Sequence, residues 1–247
     1  MVAPWFYCPD VHAGEVMLDG AEAEHALKSL RLSAGDATTL FDGRGHVGHG
    51  TLRGDAATGR GRKAARQAIV NIDAIDAVPL PARTLTLIVA GCKGARLEWL
   101  AEKATELGVT RLVLAEFEHS VVHTGAAHAT RLGRTALAAC KQCRRAWLPE
   151  ITAGVTLADV LAAQRGALVA AHLDGSALTF VQWLVTRGRA AADLAVVIGP
   201  EGGLAAVEVA AVRAAGGEIV RLTEHVLRVE TAALAAAAQW AGVTLAS

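Results

Sequence analysis

The stretch from Val196 to Ala238 constrains the fold of this chain more than any other. Four apolar residues, Leu194 to Val197, lead into it and read as a strand buried on both faces. The strand stops at Ile198-Gly199-Pro200, where proline fixes φ and removes a backbone donor. Glu201, Gly202 and Gly203 follow, and a backbone without Cβ atoms, at Gly202 above all, can come close to a ligand and take a positive φ. Leu204 to Ala215 has helix-forming composition and stops at Gly216-Gly217. Glu218 to Leu222 reads as a second short strand. Leu227-Arg228-Val229-Glu230-Thr231-Ala232 then forms a charged knuckle that opens an alanine-rich helix. Strand, glycine loop, helix, strand, charged loop, helix is the layout of a nucleotide-like ligand site at the carboxyl ends of parallel strands. A simple turn after a buried strand is the other reading of the same residues. The glycine spacing fits neither a dinucleotide fingerprint nor a P-loop.

Bulk properties narrow the class. The 247 residues suit one large domain, or a small one followed by a medium one. With 53% hydrophobic and 19% charged residues, a substantial core can form and disorder is disfavoured. Lys plus Arg and Asp plus Glu both number 24, so net charge points to no acidic partner. Local charge says more. Arg60, Arg62, Lys63 and Arg66 lie between Ala56 and Ile72 without an acid, and Arg131, Arg134, Lys141, Arg144 and Arg145 lie likewise between His119 and Pro149. Each run is either a solvated face or a track for a phosphate backbone. Met1 to Asp10 lacks a basic n-region and holds two prolines, so no signal peptide is expected. No uncharged apolar run reaches the ~20 residues of a spanning helix. Four cysteines, at 8, 92, 140 and 143, give no disulfide framework and fit a reducing, cytoplasmic compartment.

Along the chain, residues 1–76 read as β-rich, with candidate strands at Pro4–Cys8, Glu15–Leu18, Thr38–Phe41, His46–Leu52 and Ala65–Ile75 and one helix from Ala21 to about Leu30. A small closed or half-closed barrel fits that pattern. Prolines 79 and 81 stiffen a linker over 77–83. From 84 to 247 strands alternate with helices, which argues for a parallel sheet in an α/β domain. Strands are expected at Leu85–Val89, Leu112–Ala115, Ala167–His172, Leu194–Ile198 and Glu218–Leu222. Helices are expected around Leu97–Leu107 and Ala129–Cys143.

The two C-terminal motifs, Ile198 to Gly203 and Leu227-Arg228-x-Glu230-Thr231-Ala232, closely resemble those of the RsmE family of SPOUT methyltransferases. The likeness continues through Lys93-Gly94, Glu98, Lys103 to Val109 and Ala139-Cys140-x-Gln142-Cys143-x-Arg145. It reaches His25, Leu30-Arg31, Gly35-Asp36 and Phe41-Asp42-Gly43 near the N-terminus. The resemblance implies a PUA-like β-barrel that binds RNA, followed by a SPOUT-type α/β domain with a trefoil knot. It also implies S-adenosyl-L-methionine as methyl donor, N3 of a uridine in 16S ribosomal RNA as acceptor, and a homodimer. In such a domain the donor lies among three loops, here near His172-Leu173, Ile198 to Gly203 and Leu222 to Leu227, held largely by backbone groups. His25, Arg31, Arg60, Arg62, Lys63, Arg66 and Arg145 would contact RNA without reading its sequence.

Arg228 and Glu230 are the candidate catalytic pair. As residues they could equally be a surface ion pair, or Glu230 could merely favour a helix N-terminus. The resemblance puts Arg228 beside the uracil or its phosphate, with Glu230 orienting Arg228 or accepting the N3 proton; both roles stay open. Cys140-x-x-Cys143, His119-x-x-x-His123 and His46-x-x-His49 have ligand-like spacing but lack further partners in sequence, so no metal is expected. Against the family pattern, His119, Lys141, Arg144, Thr223 and His225 are departures, and Val229 replaces a threonine. They leave room for a non-catalytic RNA-binding assembly factor, or for an enzyme with another RNA target. Replacing Arg60, Arg62, Lys63 and Arg66 together with alanine should weaken RNA binding and flatten its salt dependence, since fewer counterions are released. A filter-binding salt titration checks this, and an unchanged slope would leave the run a solvated face.

Overall fold

The computed structural model describes residues 3–18, 20–58, 65–174 and 177–245, with the side chains of 55–58, 65–66 and 244–245 left aside. The chain divides into two compact units. One comprises Met1–Leu80 together with Cys140–Leu148, and the other Pro81–Ala139 with Pro149–Ser247.

The first unit is a five-stranded mixed sheet of β1 (Trp5–Tyr7), β2 (Gly14–Leu18), β3 (Ala37–Phe41), β4 (His46–Thr58) and β5 (Ala65–Ala77), in the order β1-β3-β4-β5-β2. β1 runs parallel to β3 and the other pairs are antiparallel. Strand β2 shows why it forms: Val16 and Leu18 enter the core while Met17 between them faces solvent. The expected single helix is instead α1 (Gly20–Glu24) running into a π-turn at His25–Ser29, after which Arg31 takes a left-handed φ of 56°.

Two differences from the sequence reading concern boundaries. Strand β5 continues to Ala77, and Val78 bonds the first unit through its N–H to Gly45 and its carbonyl to Trp147, so the start of the 77–83 stretch is tied down. Residues 140–148, assigned from sequence to the second domain, belong with the first unit. Lys141 donates to Glu22 at 2.6 Å, Leu148 N–H donates to the Gly43 carbonyl, and a Cβ on Gly43 would sit 2.5 Å from Leu148 Cδ1. Lys141 is therefore engaged by a carboxylate inside the unit.

The second unit is a seven-stranded parallel sheet. Its strands are β6 (Thr84–Ala90), β7 (Arg111–Glu116), β8 (Glu150–Thr156), β9 (Ala167–Ala171), β10 (Leu178–Thr179), β11 (Asp193–Ile198) and β12 (Glu218–Arg221), in the order β10-β12-β9-β11-β6-β7-β8. Strands β6 and β11 are buried along nearly their whole length, as continuous apolar runs require when both faces are covered. Helix α7 (Val229–Leu245) packs on β6 and β11, with α2 (Arg96–Glu106) and α5 (Phe180–Thr186) against it. Helix α6 (Ala206–Ala214) packs on β9 and β12, beside α4 (Leu157–Ala163). Val229, Ala232, Ala233, Ala236, Ala237 and Trp240 form the buried stripe of α7 at helical spacing. The second α-helix to start in this unit, α3 (Ala126–Cys143), carries Arg131 and Arg134 outward, and Arg131 is paired with Glu98 at 2.9 Å.

Strand β8, helix α4, strand β10 and helix α5 were not legible in sequence. β8 is an edge strand with no buried residue, and its register shifts where Gly154 takes a φ of 75°. The two helices have seven residues each and rely on caps. Thr156 accepts from the Asp159 N–H, and Thr179 forms a capping box with Gln182.

Asp42 is a nearly inaccessible carboxylate that organises the β3–β4 turn. It accepts from the N–H groups of Arg44 and His46 and from His46 Nδ1 at 2.7 Å. Burial pushes its carboxyl up, but those hydrogen bonds together outweigh burial and hold it below the usual carboxylate range. A lowered carboxylate stabilises the fold above its unfolded pKa, and that contribution is lost as pH falls through the folded value. Asp42→Asn should therefore destabilise the first unit by about 1–3 kcal/mol at neutral pH. In urea denaturation the gap to wild type should close as the pH is taken below about 3.9.

Candidate functional site

In the second unit, β12, β9 and β11 are adjacent and parallel, and their registers bring Val220 and Ile198 level with Ala171. His172 N–H then donates to the Val220 carbonyl at 2.9 Å, the last rung before the loops part. Three segments leave these levelled ends and diverge, and a cleft of about 690 Å³, partly open to solvent, lies between them. His172 and Leu173 line it from β9, Ile198, Gly199, Pro200, Glu201 and Gly203 from β11, and Leu222 and Leu227 from β12.

The glycine loop is a tight turn closed by Gly203 N–H to the Pro200 carbonyl at 2.8 Å. Gly203, at a φ of 78°, occupies the left-handed region that favours glycine. A Cβ on Gly199 would lie 2.7 Å from Leu204 Cδ2, a side chain of the cleft wall. Gly202, expected from sequence to line the site and to need a positive φ, does neither. It turns toward His119, whose Cβ would be 3.2 Å from an added Cβ, and it is not part of the lining. His119 Nδ1 also sits 3.3 Å from the Gly203 carbonyl, so this departure from the family pattern buttresses the loop.

A buried carboxylate holds the loop in place from below. Glu208, in the first turn of α6, accepts from the Ala205 N–H at 2.8 Å and from the Glu118 N–H at 2.9 Å. One side chain thus ties the glycine loop to the segment after β7. Sequence reading passed over Glu208, although its place three residues after Ala205 fits a helix-start signature. It also missed the wall residues Leu204, Thr223, His225, Val226, Val229 and Ala232. Thr223 and His225, noted only as departures, close a local turn. Thr223 Oγ1 donates to the His225 carbonyl and accepts from the His225 N–H.

The charged knuckle separates its two residues. Arg228 is exposed and its carbonyl accepts from Ala232 N–H, while its guanidinium has no hydrogen bond or ion pair among the described residues. Glu230 is buried, and its Oε1 lies 3.6 Å from Nε of Arg96, not beside Arg228. The reading in which Glu230 orients Arg228 is corrected accordingly: Arg228 precedes α7 and stays in solvent, while the first turn carries Glu230 inward. Cys92, after β6, is the nearest thiol, and its pKa is pushed up to about 12, first by burial and then by the carboxylates of Glu230 and Glu201. It is a thiol and not a nucleophile at neutral pH.

His25 is exposed and meets Phe6 edge-on at 5.9 Å, and Arg31 is exposed. Arg145 is half-buried beside Cys140 and Cys143, and burial pushes its pKa down. Arg60, Arg62 and Lys63 lie outside the described residues, and Arg66 is described only as backbone of β5. Among the described residues no three His, Cys, Asp or Glu side chains converge as a metal site.

The cleft holds no Lys or Arg, and Glu201 is its one acidic residue beside two histidines. Such a wall disfavours a phosphate-bearing nucleotide and suits a neutral or cationic ligand. The family model for the RNA methyltransferase domain matches residues 79–241, and the RNA methyltransferase PUA domain matches 18–55. The ribosomal RNA small subunit methyltransferase E of Mycobacterium tuberculosis is 32% identical, over 96% of this chain and 90% of its own. The chain belongs to the RsmE family of SPOUT RNA methyltransferases. Among RsmE-like solved structures, a probable rRNA methyltransferase of Porphyromonas gingivalis superposes with a TM-score of 0.81 at 31% identity, covering 98% of both chains. The ribosomal RNA small subunit methyltransferase E of Neisseria gonorrhoeae, solved bound to S-adenosyl methionine, gives 0.76 at 25% identity, covering 99% of this chain and 98% of that one.

Gly203→Ala should cost about 1–2 kcal/mol from the left-handed backbone alone. Gly202→Ala should be milder, because His119 need yield only a few tenths of an ångström. Thermal denaturation of the two variants checks the order, and equal losses would contradict it.

Proposed function

We propose that this protein methylates N3 of a uridine in 16S ribosomal RNA with S-adenosyl-L-methionine as donor. The observation that carries the reading is the cation-free cleft at the levelled ends of β12, β9 and β11, in a chain of the RsmE family. The apolar wall of Ile198, Leu204, Leu222, Leu227 and Val229 suits a nucleoside, and Glu201 suits a positive charge. His172, Leu173, Gly199, Pro200 and Gly203 would hold the ligand through backbone groups, since these positions end strands or form the turn. When bound, the donor supplies a methyl group on a sulfonium, and its transfer forms the N3–C bond as the S–C bond breaks and a neutral thioether leaves.

The chain's own residues have two tasks. They hold the donor and the acceptor in line, and they favour loss of the N3 proton, without which N3 is a poor nucleophile. Arg228 is exposed without a partner among the described residues, and a guanidinium there would stabilise the uracil anion as it develops. His25, Arg31, Arg60, Arg62, Lys63, Arg66 and Arg145 belong, in this reading, to the RNA track, with Arg145 supporting it from a half-buried position. The same reading includes a homodimer, a trefoil knot through the loops of the cleft, a substrate within the small ribosomal subunit and a cytoplasmic location. Among the described residues no helix is long and apolar enough to cross a membrane.

Nucleoside mass spectrometry of 16S RNA from cells with and without the protein should show N3-methyluridine only with it. A different modified nucleoside would assign another target, and none would leave an RNA-binding factor. Arg228→Ala should slow single-turnover methyl transfer about a hundredfold or more at saturating donor and RNA. Donor affinity by calorimetry should hardly change. A wild-type rate with collapsed donor affinity would make Arg228 a donor-binding residue instead.

A further inference from the structure

Outside the cleft, one buried carboxylate lacks a partner on half of its acceptor surface. Glu230 is 6% exposed, its Oε1 faces Arg96 Nε at 3.6 Å, and its Oε2 is inaccessible and has no hydrogen-bond partner among the described residues. An ionised carboxylate left this way is costly unless a nearby cation holds it. Arg96 is that cation. The carboxylates of Glu230, Glu201 and Glu98 all act on the Cys92 thiol, and Arg96 is the one cation that counters them there.

The same geometry says what the carboxylate can do. The inaccessible Oε2 cannot take a proton from a nucleotide that arrives from solvent, Oε1 is turned to Arg96, and Glu230 is absent from the cleft lining although Val229 and Ala232 belong to it. Arg96 is placed differently. Its side chain is 40% exposed and only its Nε is engaged, so both terminal nitrogens are without partners among the described residues. It opens α2 just after β6, which pairs with β11, and Cys92 in the intervening loop senses Glu201 of the cleft. Arg96 thus stands against the first turn of α7, where Val229 and Ala232, the neighbours of Glu230, line the cleft.

We propose that Glu230 is a positioning residue, not the base, and that it holds Arg96 by Nε so that the terminal nitrogens of Arg96 meet the anionic edge of the target base. This rests on the function proposed above. Arg96 joins Arg228 as a cation for the charge that develops on the uracil oxygens, and a long Nε contact is of the kind that tightens when substrate arrives.

The test uses the full chain as wild type, Glu230→Gln, Arg96→Ala, Arg96→Lys and the double variant Arg96→Ala/Glu230→Gln. Melting temperature and donor affinity by calorimetry are measured first, then single-turnover rates with 16S RNA in small subunits, with the product identified by mass spectrometry. Donor affinity should stay within about twofold in every variant, because neither side chain lines the cleft. Arg96→Ala should slow transfer about a hundredfold. Glu230→Gln should slow it on the order of tenfold, and the double variant should be no slower than Arg96→Ala, since Glu230 acts only through Arg96. Arg96→Lys should rescue little, because an ammonium cannot be held at one nitrogen and present two others. Multiplying effects in the double variant, or a larger loss for Glu230→Gln than for Arg96→Ala, would make Glu230 act directly and overturn the proposal. A joint fall of donor affinity and melting temperature that accounts for the lost rate would also overturn it, leaving a structural ion pair. An inactive wild type would instead overturn the function itself, and with it this inference.

Discussion

The parallel pairing of β11 with β9 on one side and β6 on the other is the constraint on which the rest of the second unit depends. Because a parallel ladder advances both strands in step, matching their registers also matches where they end. Ile198 and Ala171 finish at the same level, β12 joins them through Val220, and the chain must leave all three at one edge. Loops that diverge from a common edge cannot fill the space between them, so a cleft follows from the register. Its walls are apolar because they continue the buried faces of the strands, and its base is the first turn of α7, where Val229 and Ala232 are packed against the core.

Rigidity at this edge comes from a few buried polar groups. Glu208 fastens the glycine loop to the segment after β7 by two charge-assisted hydrogen bonds, each to a backbone N–H that would otherwise be unpaired. The Thr223 turn does a lighter version of the same work on the opposite wall. Both the loop that carries Gly203 and the loop that precedes Arg228 are thereby held without any side chain having to enter the cleft. Backbone recognition needs this, since carbonyl and N–H groups are aimed only as well as their loops are fixed.

Charge is divided between two zones. The cleft contains no Lys or Arg, whereas Arg228 precedes α7, whose first turn lines it, and Arg96 opens α2, which packs on α7. A donor carrying positive charge and an acceptor gaining negative charge ask for opposite surroundings, and such separation meets both demands. In the first unit the polar centre is Asp42, which organises a turn. Its charge is matched within the turn, so it contributes to that fold alone.

The amino-acid sequence by itself determined the class of each major element and the likeness to the RsmE family. Unbroken apolar runs at β6 and β11 require burial on both faces, period-two alternation in β2 requires one wet face, and the helical spacing of Val229 to Trp240 requires a packed stripe. Each is a local consequence of which side chains avoid water. Sequence also located the glycine loop and the Arg228–Glu230 knuckle, since both stand at breaks between such runs. Only the tertiary structure decided which partners these residues take. It placed the left-handed turn at Gly203 rather than Gly202, set Glu230 against Arg96 rather than Arg228, and packed residues 140–148 with the first unit. The edge strand β8 and the short capped helices came from packing as well, because their residues are half-exposed and carry little periodicity. Burial is written along the chain, residue by residue. A contact between α2 and α7, or between residue 43 and residue 148, is fixed only when the sheet and the helices close on one another.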